Sequence, residues 1–152
     1  MASTWLSASE MRAWRNFIES VSTMTAALEG DLVPFGLTLG DYEVLVRLSE
    51  AENHRLRMCD LATSLQLSPS GLTRRLDGLV SSGLVERVAS PSDRRVMFAA
   101  LTAAGHVKLV EAAPDHVASV RNRFLKDLTN EQVRSLGDIF EIVRANLTAC
   151  PQ

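Results

Sequence analysis

The sequence has few of the residues on which disulfide scaffolds, thiolate metal centres and membrane proteins depend. Only two of its 152 residues are cysteines, Cys59 and Cys150, and they lie far apart. This spacing predicts neither a disulfide framework nor a metal motif. No apolar run reaches the roughly 18 residues needed to cross a bilayer, and the N-terminus lacks the charged-then-apolar form of a signal peptide. We therefore expect a cytoplasmic protein with no membrane partner.

Recognisable catalytic and metal-binding spacings are also lacking. The three histidines are His54, His106 and His116, and the last two lie ten positions apart. A zinc-binding helix places two histidines four positions apart, on one face. The sequence also has no glycine-rich phosphate loop and no nucleophile elbow. It therefore predicts a protein that is not an enzyme and has no metal or cofactor.

The chain as a whole has no excess of positive charge, since its net charge is -2. The regions differ, however. Residues 53–95 contain 7 arginines against 4 acidic residues, residues 1–52 contain 3 basic against 8 acidic residues, and residues 96–152 contain 6 of each. A positive excess confined to one segment is typical of a local nucleic-acid-binding surface.

That basic segment contains the pattern of two short helices joined by a tight turn. Ser68 is a good N-cap for the second helix, Pro69 suits its first position, and Gly83 is suited to end it. Four apolar residues recur at helical spacing and should pack inward: Leu72, Leu76, Leu79 and Val80. A polar and basic set lies on another face: Ser70, Thr73, Arg74 and Asp77, with Arg75 beside them. Such a face suits a helix placed in a DNA major groove.

Two strand-like segments follow, at residues 84–88 and 96–100. The turn-rich segment between them contains Arg94 and Arg95, and residues 55–57 could add a third strand. A cationic hairpin tip beside a recognition helix indicates a winged helix-turn-helix. The alternative is an ordinary small α/β core with a polar loop.

The residues of these segments, taken together, resemble the MarR family of bacterial transcription regulators. The resemblance is carried by Leu61, Ala62, Leu67, Ser68, Ser70, Thr73, Arg74, Leu76, Leu79, Gly83, Leu84, Val85, Arg87, Asp93, Arg94, Arg95, Leu101, Thr102 and Gly105. Residues 37–39 and 41–45 also fit the family's second helix, and the overall length and helix order fit too, so the resemblance covers nearly the whole chain. It implies a mainly α (α+β) fold, in which a winged helix-turn-helix is flanked by long N- and C-terminal dimerisation helices.

The helix face and the resemblance together predict the DNA contacts. They are Ser68, Ser70, Thr73, Arg74 and Arg75 on the helix, and Arg94 and Arg95 in the wing. We expect one of Arg74 and Arg75 to read a base and the other to hold a phosphate or an acidic neighbour, and the sequence leaves open which. Asp77 is expected to be solvated or ion-paired. Asp93 is expected to pair with an arginine and so to structure the wing.

The terminal helices are longer than the winged region alone requires. We predict a first helix over residues 8–29 that Gly30 ends, and two apolar-faced helices after residue 102. The chain would then be a single MarR-like domain, 1–152, in which residues 1–36 and 102–152 dimerise and residues 37–101 bind DNA. A homodimer would place two recognition helices about 34 Å apart on a palindromic operator. A compact monomeric bundle is the alternative.

The resemblance implies a ligand-responsive repressor of double-stranded DNA, with a small aromatic or phenolic effector bound between the dimer helices and the winged region. Trp14, Arg15, Phe35 and Tyr42 could line such a pocket. Two other functions stay open. One is a winged-helix module that binds proteins rather than DNA, and the other is a regulator that senses oxidants through Cys59.

Overall fold

The computed structural model describes residues 5–93 and 95–148, and it shows a mainly helical protein with one small sheet. Its elements are α1 (Ala8–Leu32), α2 (Leu39–Glu50), β1 (Arg55–Arg57), α3 (Met58–Ser64), α4 (Pro69–Ser81), β2 (Val85–Ala89), β3 (Met97–Leu101), α5 (Ala103–Val120) and α6 (Asn130–Thr148). A π-helical turn, Arg121–Leu125, extends α5. The predicted fold class is confirmed. Arg94 and Cys150 lie outside the described residues.

Side-chain caps set where the helices begin. Five hydroxyl groups accept a hydrogen bond from a backbone N–H three residues later, and they belong to Ser7, Thr38, Ser68, Thr102 and Thr129. At Ser7 and Thr38 the bond is reciprocated by Glu10 and Asp41, which completes a capping box. Because each cap is made within four residues, the helix starts are readable from the sequence.

The two helix ends that we predicted from glycines have different outcomes. Gly83 has φ 73° and donates to the Val80 carbonyl, while Leu84 donates to the Leu79 carbonyl. These two bonds form a Schellman motif, as expected for a glycine just past a helix. The prediction that Gly30 ends α1 is wrong, because the helix runs on to Leu32. The chain turns only at Gly36, which has φ 70°.

The three strands form an antiparallel sheet in the order β1-β3-β2. Leu56 and Arg87 both pair with Ala99 of the central strand, which confirms the predicted third strand. The second strand begins at Val85, one residue later than predicted, because the Leu84 N–H is used to close α4. Val85 and Ala99 are buried, so one face of this sheet lies on the core.

The hydrophobic core lies mainly in the winged region, and α1 and α5 add Leu32, Leu109 and Ala112 to it. Its largest fully buried side chains are Leu32, Leu45, Leu48, Leu61, Leu72 and Leu76. Leu79 is buried as predicted, whereas Val80 is only half-buried. Each large buried aliphatic side chain contributes roughly 1.5–3 kcal/mol through its removal from water. One face of α4 is therefore packed on this core, and its opposite face is exposed.

A close contact fixes where α5 joins the winged region. The Thr102 hydroxyl donates to the Gly83 carbonyl at 2.7 Å, and the Thr102 backbone N–H donates to the Leu84 carbonyl at 3.2 Å. Gly105 lies against the same Leu84 carbonyl, where any Cβ would overlap the oxygen. The glycine therefore allows the first turn of α5 to touch the end of α4.

The terminal helices leave much of their apolar surface uncovered in one chain. In α6, Ile139, Ile142 and Leu147 are 53%, 63% and 81% exposed. Other exposed apolar residues on α1 and α5 are Trp14, Ile18, Val21, Val107 and Val110. Apolar patches of this extent mark interaction surfaces. None of the helices in the described residues is long and apolar enough to span a membrane.

Candidate nucleic-acid interface

The exposed face of α4 matches the face that the sequence predicts. Ser70, Thr73, Arg74 and Asp77 are all exposed, while Leu72, Leu76 and Leu79 on the opposite side are buried. The helix therefore presents a short row of polar side chains with a basic member. A row of this kind can reach base edges in a major groove.

The hydroxyl groups of this helix are partly used within it. The Ser68 hydroxyl accepts from the Gly71 N–H at 3.1 Å and lies 3.2 Å from the Ser70 hydroxyl. The Thr73 hydroxyl donates to the Pro69 carbonyl at 2.9 Å. Because that bond occupies its only proton, Thr73 offers DNA its methyl group and oxygen lone pairs, and a methyl suits contact with thymine.

The glycine at position 71 has a local explanation. A Cβ on Gly71 would lie 3.1 Å from the Ser68 hydroxyl, tighter than ordinary contacts, and α3 offers no atom as near. Gly71 therefore permits the close approach of Ser68, the N-cap of the same helix.

The two neighbouring arginines of α4 have different surroundings. Arg74 is exposed, whereas Arg75 is half-buried and its guanidinium lies directly over Gly40 in the first turn of α2. A side chain packed on another helix is less free to enter a groove. The structure thus separates two residues that the sequence leaves equivalent.

A bridge between α4 and the wing was not foreseen. Arg87 of β2 donates to the Asp77 carboxylate at 2.7 Å and to the Thr73 carbonyl at 3.2 Å. The expectation that Asp77 is ion-paired is confirmed. Both side chains are well exposed, so the pair contributes at most about 1 kcal/mol, but it sets the wing against the recognition helix. Side chains alternate between the two faces of β2, so Arg87 lies on the same face as the buried Val85. This alternation is the sequence signal that could have indicated the contact of Arg87 with α4.

The wing tip is held by backbone groups. The Asp93 carboxylate accepts from the Arg95 backbone N–H at 3.0 Å, and the Asp93 carbonyl accepts from the Val96 N–H at 2.9 Å. Asp93 therefore structures the hairpin, but a salt bridge with the Arg95 guanidinium is not seen among the described residues. The pairing of Asp93 with an arginine side chain stays a prediction, because Arg94 is not among the described residues. Arg95 is exposed, and Arg94 lies outside the described residues.

The four residues predicted to line an effector pocket do not come together in one chain. Tyr42 lines a cavity of about 620 Å³ between α1, α2, α5 and the turn before α4. Trp14 instead packs on Phe17, with ring centroids 6.1 Å apart, and Arg15 is exposed on α1. Phe35 packs against the core. The pocket is thus centred on Tyr42 alone of the predicted set.

His116 is the pocket residue that sequence reasoning missed. Its ring lies 4.4 Å from the Tyr42 ring, and its Nδ1 is buried without a hydrogen-bond partner in the described residues. Burial lowers the pKa of His116, although the carboxylates of Asp31 and Glu43 oppose that effect. Burial also raises the pKa of Tyr42. The i, i+4 spacing from buried Ala112 is the signal that places His116 on the inner face of α5.

The comparisons with known proteins agree with this geometry. A model of the MarR family matches residues 37–97, from the residue before the α2 cap to the start of β3. The crystal structure of AbsC, a MarR family transcriptional regulator from Streptomyces coelicolor, is 42% identical with a TM-score of 0.92, covering 95% of this chain and 98% of that one. The chain belongs to the MarR family of transcription regulators.

Two further relatives place this MarR-family chain among proteins of the same type. Sco3205, a MarR family regulator from Streptomyces coelicolor solved in complex with DNA, is 36% identical with a TM-score of 0.93, covering 99% of this chain and 95% of that one. The transcriptional repressor YetL of Bacillus subtilis is 27% identical over 139 residues, covering 90% of this chain and 83% of YetL. The likeness to all three relatives extends over the terminal helices as well as the winged region.

Proposed function

We propose that this chain is a repressor that binds a palindromic operator as a homodimer and leaves it when a small effector binds. The observation that carries the proposal is the exposed polar face of α4, with Arg74 on it, held beside the wing by the Arg87–Asp77 bridge. Arg74 reads a base, Ser70 and Thr73 contact the DNA beside it, and Arg94 and Arg95 contact it from the wing. Arginine can donate two hydrogen bonds to one guanine, and such a contact favours the correct base over the wrong one by roughly 1–3 kcal/mol.

The charge distribution supports specific rather than general DNA binding. The excess of 7 arginines over 4 acidic residues is confined to residues 53–95, and the chain as a whole has a net charge of -2. Phosphate contacts would therefore come from the helix-turn-helix and wing alone. The acidic N-terminal region should weaken binding of other surfaces to DNA.

The terminal helices supply the homodimer in this proposal. The apolar residues exposed on α1, α5 and α6 need a cover, and a second copy provides a matching surface through a two-fold axis. Residues 1–36 and 102–152 would form this dimerisation region, and residues 37–101 the reading head. The two-fold axis would relate two α4 helices, which suits a palindrome.

The effector would occupy the cavity lined by Tyr42 and His116. Its walls come from α1 and α5 on one side, and from α2 and the turn before α4 on the other. A small aromatic or phenolic molecule could stack on the Tyr42 ring and bond the unpartnered His116 Nδ1. If the cavity fits it only when the reading heads are displaced, binding shifts the population away from the DNA-bound arrangement.

The test is selection of duplexes from a random library by the wild-type protein, followed by fluorescence anisotropy at two salt concentrations. We expect one enriched palindrome, bound by one dimer, with an affinity that falls steeply as salt rises. Arg74→Ala should lose roughly 5- to 150-fold in preference over a scrambled duplex. Lys126→Ala, an exposed cation outside the reading head, is the control and should bind normally. No enrichment even at low salt would favour a protein–protein module instead.

A further inference from the structure

Three helices meet at the first turn of α2. The Glu29 carboxylate of α1 accepts from the Leu39 N–H at 2.7 Å. The next residue is Gly40, and the Arg75 guanidinium of α4 lies directly over it. The same turn begins with the capping box of Thr38 and Asp41. A dimerisation helix and the recognition helix are therefore attached to adjacent residues of one turn.

The Arg75 guanidinium lies on the backbone of Gly40, and because it is the far end of a flexible side chain, an added Cβ would displace it at little cost in packing energy. A Cβ at Gly40 would overlap the Nη1 and Cζ atoms of Arg75. Among the eight glycines of the chain, Gly40 and Gly105 are the two at which an added Cβ would overlap a neighbouring residue. At helix positions with open space, such as Gly30 and Gly78, no atom lies within 4 Å of an added Cβ. Glycine is unfavourable in a helix, so a glycine whose side-chain space is occupied is explained by its occupant.

The charge of the Arg75 guanidinium is affected by the α2 dipole and by two neighbouring carboxylates. A cation at a helix N-terminus is disfavoured by the helix dipole. Here the carboxylates of Glu29 and Asp41 bind the N–H groups of Leu39 and Thr38, and they bring negative charge to the same turn. Neither carboxylate forms an ion pair with Arg75 among the described residues, but their negative charge reduces the unfavourable interaction of the guanidinium with the helix dipole.

We infer that Arg75 is a positioning residue, which locks the recognition helix to the first turn of α2 and leaves Arg74 alone to read DNA. Leu39 of this turn also lines the cavity with Tyr42 and His116. This inference rests on the proposed function, because it assigns a role within the same DNA-reading head.

The sharpest test is a double-mutant cycle on Gly40→Ala and Arg75→Ala. In the wild-type background the Gly40→Ala methyl displaces the guanidinium, so each single variant should bind the selected operator more weakly by a similar factor. In the Arg75→Ala background the added methyl meets no guanidinium, and Gly40→Ala should have no cost. Coupling of contacting residues is roughly 0.5–3 kcal/mol, which corresponds to about twofold to 150-fold in affinity. Additive losses would overturn the inference.

Base preference and salt dependence separate positioning from direct contact. Arg75→Ala should enrich the same palindrome as the wild type and keep the same salt slope, whereas Arg74→Ala should relax one base pair of each half-site. If Arg75 instead bound a phosphate, its removal would lower the slope by about 0.9 for each phosphate bound. A relaxed base pair or a reduced slope in Arg75→Ala would show that Arg75 touches DNA.

Thermal unfolding of the four proteins tests the contact without DNA. Gly40→Ala should raise Tm in the Arg75→Ala background, since alanine favours a helix, and should raise it less or lower it when Arg75 is present, since the contact is then lost. If Gly40→Ala changed Tm equally in both backgrounds, Arg75 would not contact Gly40. If the wild type selects no sequence, the proposed function fails, while the melting temperatures still decide whether Arg75 occupies the space over Gly40.

Discussion

Replacement of Gly105 by alanine should disconnect α5 from the winged region. The added methyl would overlap the Leu84 carbonyl oxygen and would lie 2.8 Å from Leu101 Cδ1. The carbonyl cannot move freely, because it accepts from the Thr102 backbone N–H at 3.2 Å and shares the Thr102 hydroxyl proton, at 3.1 Å, with the Gly83 carbonyl. The first turn of α5 must therefore shift, and its cap weakens.

The magnitude follows from three opposing contributions. Insertion of a methyl into a packed contact costs about 1–3 kcal/mol, and loss of the Thr102 cap costs about 0.5–2 kcal/mol. Alanine returns up to about 1 kcal/mol as a better helix former. We expect a net loss of roughly 0.5–5 kcal/mol in the free energy of unfolding, compared with the roughly 5–15 kcal/mol typical of a domain.

Urea denaturation at one fixed protein concentration measures this loss, since unfolding of a dimer depends on concentration. The matched control is Gly30→Ala, within α1, where an added Cβ meets no atom within 4 Å. Gly30→Ala should stabilise the protein by about 0.5–1 kcal/mol. If Gly105→Ala were as stable as the wild type, the close contact between α5 and the end of α4 would not be structurally required.

Three further predictions concern the core, the cavity and the exposed thiol. Leu76→Ala removes a fully buried side chain of α4 and should lower the free energy of unfolding by about 2–5 kcal/mol in urea titration; a loss below about 1 kcal/mol would mean that α4 is not packed on this core. The pKa of His116 is lowered by burial despite Asp31 and Glu43, so the unfolded chain takes up the proton first. The stability that this neutral ring contributes should be present above pH ~6.5 and lost as the pH falls towards the lower folded-state pKa. His116→Phe should flatten the dependence of Tm on pH between about pH 7 and 5, and an unchanged profile would contradict this cause. Cys59 is exposed, and peroxide should leave operator binding of both the wild type and Cys59→Ser unaltered; release that Cys59→Ser abolishes would establish the oxidant-sensing alternative.

Several features of this protein were predictable because they depend on residues close in sequence. The caps at Ser68 and Thr102 and the left-handed turn at Gly83 are each made within a few positions. The same is true of the two faces of α4, since a period of about 3.6 residues separates the buried leucines from the polar row. These local patterns, together with the family resemblance, sufficed for the winged helix-turn-helix.

Other features were decided by contacts between residues far apart in the chain. The end of α1 was misplaced at Gly30, because this glycine keeps a helical backbone, and the glycine with the positive φ that turns the chain is Gly36. The sequence could not show whether Trp14 and Tyr42 share a cavity, because they lie on faces that only the packing of α1, α2 and α5 separates. His116 joins the cavity for the same reason.

The sequence by itself determined where the helices start, which face of α4 is polar, and that the positive charge lies in one segment, since these follow from spacing and composition. Only the tertiary structure gave Arg74 and Arg75 different surroundings, although they are adjacent on one helix and chemically identical. Their difference comes from Gly40, 35 positions before Arg75, whose missing side chain leaves space for one guanidinium. The sequence pattern of α4 cannot predict this space, because Gly40 lies on another helix.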